Sequence, residues 1–256
     1  MLYQWYKHSA SAGNLWYDNM AAFLWRYGFQ KWGKDNPRLW MGKAAEQAVY
    51  HCLDENLLPP VAEVTAVSIF DKFSEGEVFP EREMAGKIAM NMLSILLEVG
   101  GTFERKPKSA KTLDGFRKKI NYECDLFNSK IGIIDLKATG KMPWGEKSEP
   151  KPRWSHVRQL GLYSNLEGNT PVSILYATPK RCSLYEIPKT DAEIGAKELF
   201  SAFEQIEQWD IMFSTPEQAA KLIPLNTEGY QWDDPVELDE ARKLWNSALR
   251  IEKAME

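Results

Sequence analysis

Asn121-Tyr122-Glu123-Cys124-Asp125-Leu126-Phe127 is followed, after a short connection, by Gly132-Ile133-Ile134-Asp135-Leu136-Lys137-Ala138-Thr139-Gly140. The connection, Asn128-Ser129-Lys130, has turn chemistry, so the region reads as two strands, Arg117 to Phe127 and Ile131 to Ala138, joined as a hairpin. Strand side chains alternate between faces, which puts Asp135 and Lys137 on the same side. Asp125, which interrupts the neighbouring strand, can point to the same place. Two carboxylates and an ammonium then converge at one end of a hairpin. Carboxylates are ligands for Mg²⁺, which keeps several of its waters. A bound metal lowers the pKa of such a water and polarises a phosphoryl oxygen. A nearby Lys can orient the attacking water or offset charge developing on the phosphate. An isolated D-x-K is also a common cross-strand ion pair, so its surroundings decide how it is read.

Outward from the hairpin, apolar spacing predicts helices over Ser9 to Tyr27, Leu39 to Leu53 and Glu81 to Val99. Ser9 or Ser11 would cap the first, Pro59-Pro60 would stop the second, and Gly100-Gly101 would end the third. Val61 to Phe70 reads as a strand or extended segment. Beyond the hairpin come a helix from Trp154 to Leu166 and a second strand pair, Pro171 to Thr178 with Ser183 to Ile187. Acidic helices follow over Asp191 to Phe213 and Pro235 to Ala254. Helices, hairpin, helix, hairpin, helices is the order of a mixed sheet flanked by helices, α/β or α+β.

The chain has 256 residues, 44% hydrophobic and 27% charged, which excludes global disorder. Its net charge of −4 excludes a uniformly basic, histone-like binder but not a local basic site. Charge is uneven: residues 102–158 hold 14 Lys/Arg against 7 Asp/Glu, and residues 189–256 hold 7 against 15. Such a division can confine a polyanion to one face, although a solvated charge pattern gives it too. Cys52, Cys124 and Cys182 lie far apart and form no CxxC pair, which argues against a zinc ribbon, a cysteine-ligated iron–sulfur cluster and a disulfide scaffold. A reducing compartment is expected. No apolar run of signal length opens the sequence and none is long enough to span a membrane.

Two more features surround the hairpin. Gly42-Lys43-Ala44-Ala45-Glu46 lies on the second predicted helix, with Glu46 among small apolar neighbours where an unpaired carboxylate would be costly. Gln159 and Tyr163, four apart, share a face of the helix after the hairpin. In order, Gly42 with Glu46, Asp125, Asp135 with Lys137, and Gln159 with Tyr163 resemble the motifs of the PD-(D/E)XK nuclease superfamily. The closest flavour is the RecB-type branch shared with lambda-type exonucleases and CRISPR-associated adaptation nucleases. The resemblance covers roughly residues 9 to 187. Glu46 stands where many RecB-type domains have His, a lambda-exonuclease-like feature.

The resemblance implies a restriction-endonuclease-like α/β core over residues 1–188, with an acidic helical extension over 189–256. It implies metal-dependent hydrolysis of DNA phosphodiesters, with exonuclease action ahead of sequence-specific endonuclease action. Asp125, Asp135 and Glu46, with the backbone carbonyl of Leu136, would hold one or two Mg²⁺ or Mn²⁺ ions. Lys137 would position or activate water, and Gln159 and Tyr163 would support the site or touch DNA. The cysteines that hold an iron–sulfur cluster in some relatives are missing, so no cluster is expected. The expected partners are single- or double-stranded DNA ends and recombination or repair proteins, in the cytoplasm of a bacterial or phage-infected cell, away from membranes. The alternatives are a non-cleaving nucleic-acid-binding protein on the same scaffold and a structure-specific endonuclease.

Between the second strand and the Gln159 helix, Lys141, Lys147, Lys151, Arg153, His156 and Arg158 are interleaved with Trp144 and Trp154. Cations for phosphates and indoles for bases suit a nucleic-acid strand. An exposed loop with two tucked-in Trp gives the same sequence, and His156 reads first as a satisfied structural histidine.

Overall fold

The structure, a computed structural model, describes residues 7–33, 35–144, 151–229 and 232–250. In chain order its helices are α1 (Ala10–Asp18), α2 (Met20–Phe23), α3 (Pro37–Asp54), α4 (Pro59–Phe73), α5 (Glu81–Val99), α6 (Trp154–Leu166), α7 (Lys189–Met212), α8 (Pro216–Ala220) and α9 (Pro235–Arg250). Its strands are β1 (Phe103–Glu104), β2 (Ser109–Lys111), β3 (Ile120–Tyr122), β4 (Leu126–Asn128), β5 (Gly132–Ala138), β6 (Val172–Ala177) and β7 (Cys182–Glu186). Two compact units interleave along the chain. One takes residues up to 34, 109–122 and from 197 onward; the other takes Asp35–Lys108 and Glu123–Ala196. Residues 188 and 189 fall inside the second unit.

The second unit holds a five-stranded sheet in the order β1-β4-β5-β6-β7. Its pairs are antiparallel except β5 with β6, which are parallel and joined through α6. Both central strands are covered on both faces, and their Val/Ile/Leu runs follow from that. Alternation sends Ile134 and Leu136 into a core with Ala44, Ala48, Ile88 and Leu93 of α3 and α5. Asp135 and Lys137 face the other way, where Gln159 of α6 meets Asp135. Two glycines are dictated by backbone proximity. Gly132, at φ +81°, lies against the Pro171 carbonyl, and a side chain at Gly161 would fall on the Ala192 carbonyl at the start of α7. This is an α/β fold with a mixed central sheet flanked by helices, the architecture of a restriction-endonuclease-like core.

Four local expectations are corrected. Val61 to Phe70 is helical, not extended. Its β-branched residues suggested a strand, but Ala62, Ala66 and Phe70 recur every fourth residue and bury one stripe. Pro59-Pro60, read only as a stop, occupies the first turn of α4, where the missing N–H costs nothing. The strand expected over 117–127 is two strands. β3 pairs with β2 in the first unit, β4 pairs with β5 in the second, and Glu123-Cys124-Asp125 is the break. The helix expected over 9–27 is interrupted at Asn19, whose side chain accepts the Ala22 N–H to start α2, and a π-helical turn covers Leu24–Gly28.

The first unit has its own core, in which Trp16, Phe23, Trp25, Trp232 and Trp245 take part. Beside it, buried His8 stacks on Phe203 and its Nε2 lies 2.7 Å from Glu207 Oε1. The backbone N–H groups of Arg117 and Lys118 also donate to Glu207. Burial holds the His8 pKa below its ordinary 6.5 despite the nearby carboxylate. For Glu207 burial pushes upward, but the donors from Arg117, His8 and Lys118 overcome it and hold the carboxyl low. Both shifts have one consequence. As pH falls through about 6.5 and then about 4.3, the unfolded chain takes up protons that the folded unit resists. Denaturant unfolding should therefore show stability falling between pH 7 and pH 4, and a Glu207→Gln variant should lose the lower part of that slope. A flat profile would show that the pair does not control acid stability.

Candidate active site at the β4–β5 hairpin

The site is assembled by strand pairing. Asp125 immediately precedes β4, and its Oδ2 accepts the Leu136 backbone N–H at 2.7 Å. Here an aspartate takes a hydrogen bond that a neighbouring strand would otherwise supply, so β4 begins only at Leu126. Asp135, one residue along β5, is 1% exposed. Its Oδ1 accepts from Gln159 Nε2 at 2.9 Å, and the same amide donates to Tyr163 Oη at 3.1 Å. Its Oδ2 lies 2.6 Å from Lys137 Nζ and takes no well-directed hydrogen bond. Lys137 is a quarter exposed and borders a surface cleft that Glu46 also lines.

Electrostatics are set by two or more carboxylates sharing one ammonium. Burial first, and then the Asp135 charge, push the Asp125 carboxyl well above its ordinary value. Burial pulls Lys137 down, but Asp135 and Asp125 together overcome it and keep its pKa raised, so it carries its proton at neutral pH. Burial also raises Glu46, against the hydrogen bond from Tyr50 and the charge of Lys137. Tyr163 is raised by burial and by both aspartates, which keeps it a hydroxyl.

Asp125, Asp135, Lys137, Gln159 and Tyr163 therefore form one connected cluster. Glu46 lines the same cleft as Lys137, but its Oε1 accepts from Tyr50 Oη at 2.6 Å. Among the described residues no three His, Cys, Asp or Glu side chains form a metal-holding group. Among the described residues the cluster offers two carboxylates, one with a buried oxygen lacking a well-directed hydrogen bond, and one ammonium, that of Lys137. Oxygen donors with surplus negative charge fit a hard divalent cation.

The basic loop divides. Lys141, Lys151 and Arg153 are exposed. His156 Nδ1 lies 2.6 Å from Tyr176 Oη, and burial with the charges of Lys137 and Arg153 pushes its pKa down to about 3. It is thus neutral at physiological pH. The backbone of Arg158 lies against Gly195 of α7. Lys147 lies outside the described residues. Sequence reasoning missed Tyr50 and Tyr176. Tyr50 carried a signal, since it is four residues after Glu46 on the same helix. Tyr176 carried none: it is found through its register with Lys137 across β5 and β6.

No protein-family profile matches the chain, and no curated protein matches it in sequence. Solved structures do resemble it. A Eubacterium rectale protein, provisionally named an exonuclease, superposes with a TM-score of 0.52 at 14% identity, over 78% of this chain and 77% of its own. A second, SSO0001, gives a TM-score of 0.32 at 14% identity over 80% and 91%, too low to carry an argument. At this identity the likeness to the first supports the fold.

Proposed function

We propose that the chain is a metal-dependent DNA nuclease with exonuclease action. The observation that carries the reading is the cluster of Asp125, Asp135 and Lys137, with Asp135 Oδ2 2.6 Å from the ammonium, Asp125 accepting the Leu136 N–H and Lys137 bordering a cleft. Asp125 and Asp135, with the Leu136 carbonyl, would hold Mg²⁺ or Mn²⁺, and Glu46 is the further carboxylate within the cleft. The metal would polarise a phosphoryl oxygen and make a bound water acidic. Gln159 occupies Asp135 Oδ1, so a metal would take Oδ2, which now faces the Lys137 ammonium, and Tyr163 accepts from Gln159 in turn. Such support of a ligand is what keeps a metal site ordered. Lys137, carrying its proton, donates to the attacking water or to the phosphate rather than accepting a proton from them. Water would add to phosphorus as the P–O bond to the leaving nucleotide breaks, with the proton lost by the water passing to solvent or to the departing oxygen. Exonuclease action is favoured by the lambda-exonuclease-like Glu46 and by the order of the motifs.

The test is cleavage of end-labelled linear single- and double-stranded DNA beside a closed circle, with Mg²⁺, Mn²⁺ or EDTA. Loss of the linear forms only, and only with metal, is expected. Nicking of the circle would make the enzyme an endonuclease. A non-cleaving nucleic-acid-binding protein is the second reading, favoured by the Tyr50 hydrogen bond that occupies Glu46. Binding without hydrolysis under any metal would select it.

A further inference from the structure

Two cavities adjoin the site within the second unit. The inner one, about 250 Å³, is bordered by Gly42, Glu46, Leu136 and Lys137. The outer one, about 590 Å³, is bordered by Met41, Met84, Gly140 and Lys141. Arg38 and Ala138 border both, so the cavities are successive parts of one groove. Arg38, Gly42 and Glu46 are spaced four apart and occupy one face of α3. The groove therefore runs along that face, from Lys137 past Arg38 to Lys141. Its cations are not equivalent. Lys43 is paired with Asp35 at 3.1 Å, and Lys137 is held by Asp135. Arg38 is exposed and makes no ion pair or side-chain hydrogen bond among the described residues. Glu81 borders the outer cavity and Glu46 the inner one, so Arg38 is the cation that separates two acidic points.

We propose that Arg38 binds the phosphate adjacent to the one being cleaved, on a single polynucleotide strand that lies in this groove. The inference rests on the nuclease reading of the Asp125–Asp135–Lys137 cluster and identifies how the strand is held there. A guanidinium takes a phosphate through two parallel hydrogen bonds, and among the described residues no carboxylate is paired with this one. The outer cavity is of the size that holds a small-molecule ligand, about 300–1,000 Å³. A duplex is read by elements that protrude into its grooves, whereas a concave groove takes one strand. Met41 and Met84 supply an adaptable apolar wall for bases without selecting among them. At Gly42 a Cβ would meet only Ala138, at 3.9 Å, so the α3 face is uncrowded beside the inner cavity.

The test separates this groove from the chemistry. Binding of a fluorescent single-stranded oligonucleotide is measured in EDTA across a salt series. Hydrolysis with Mg²⁺ or Mn²⁺ is measured on the same oligonucleotide and on bis(p-nitrophenyl) phosphate, a diester with no adjacent phosphate for Arg38 to bind. Arg38→Ala should weaken binding about three- to tenfold and reduce the slope of log affinity against log salt by about 0.7, one phosphate contact on a single strand. Arg38→Lys should restore the slope. The KM for the oligonucleotide should rise while turnover of the small diester stays unchanged. Unchanged affinity and slope in Arg38→Ala, with cleavage intact in the wild type, would overturn the groove and leave the nuclease. A reduced slope in a wild-type background that cleaves nothing would keep the groove and remove the nuclease. A wild type that neither binds nor cleaves would overturn both.

Discussion

Asp135→Asn and Lys137→Ala should each abolish the proposed metal-dependent DNA cleavage while the chain stays folded: this is the largest effect on activity that the site geometry predicts. Asparagine at 135 keeps an oxygen for Gln159 Nε2, so the hydrogen bond that places the side chain survives. What is lost is the second anionic oxygen, now 2.6 Å from Lys137, which the proposed metal would share. Metal stabilisation of a developing phosphoryl charge is worth several kcal/mol, so the rate should fall by about 10³-fold or more. Lys137 contributes a positioned donor, for which a loss of about 10²- to 10⁴-fold is typical. The two act as a unit, because each carboxylate oxygen and the ammonium depend on the other for their placement. The double variant should then be little worse than either single one. Single-turnover cleavage and far-UV circular dichroism on all three variants measure this. Cleavage at undiminished rate in either folded single variant would remove the assignment.

That cluster was readable in the sequence because its spacing obeys local geometry. Asp135 and Lys137 follow the two-residue period of β5, and Gln159 and Tyr163 follow the helical period of α6, so their shared faces needed no tertiary knowledge. Asp125 was readable for a different reason: an aspartate within a strand-like run is out of place, and the structure shows its carboxylate bonded to the Leu136 N–H instead. Local rules failed where long-range packing decides. Val61, Val64 and Val67 have strand propensity, yet Ala62, Ala66 and Phe70 find a helical seam in the core with α3 and α5, and burial outweighs propensity. The continuous strand expected from Arg117 to Phe127 failed because its two halves have different partners, β2 and β5. Tyr176 and Arg38 have no local signal, because each gains its position from a strand register or a cavity wall formed by distant residues.

Asp125→Asn should raise stability in the absence of metal while eliminating cleavage. The Asp125 carboxylate is half-buried, lies in the field of Asp135, and shares one ammonium with it; burial and that charge both oppose its ionised form. Asparagine retains an oxygen to accept the Leu136 N–H, so β5 keeps its place, but it removes one of the opposed charges. Relieving such a functional-site conflict typically gains about 0.5–2 kcal/mol. In a chain of this size each kcal/mol corresponds to about 2–4 °C in Tm. Metal should reverse the order. A ligand that binds only the folded state at a hundred times its Kd stabilises by about 2.7 kcal/mol, so Mg²⁺ or Mn²⁺ should raise the wild-type Tm and leave the variant nearly unmoved. Thermal melts of both proteins in EDTA and in a metal series give the comparison directly. A variant that melts lower than wild type in EDTA would show that Asp125 is held chiefly as a structural acceptor for β5. Equal metal shifts in the two proteins would place the ion elsewhere. The expected crossing, variant more stable without metal and wild type more stable with it, follows if the carboxylate pair is kept at the cost of stability to hold the proposed cation.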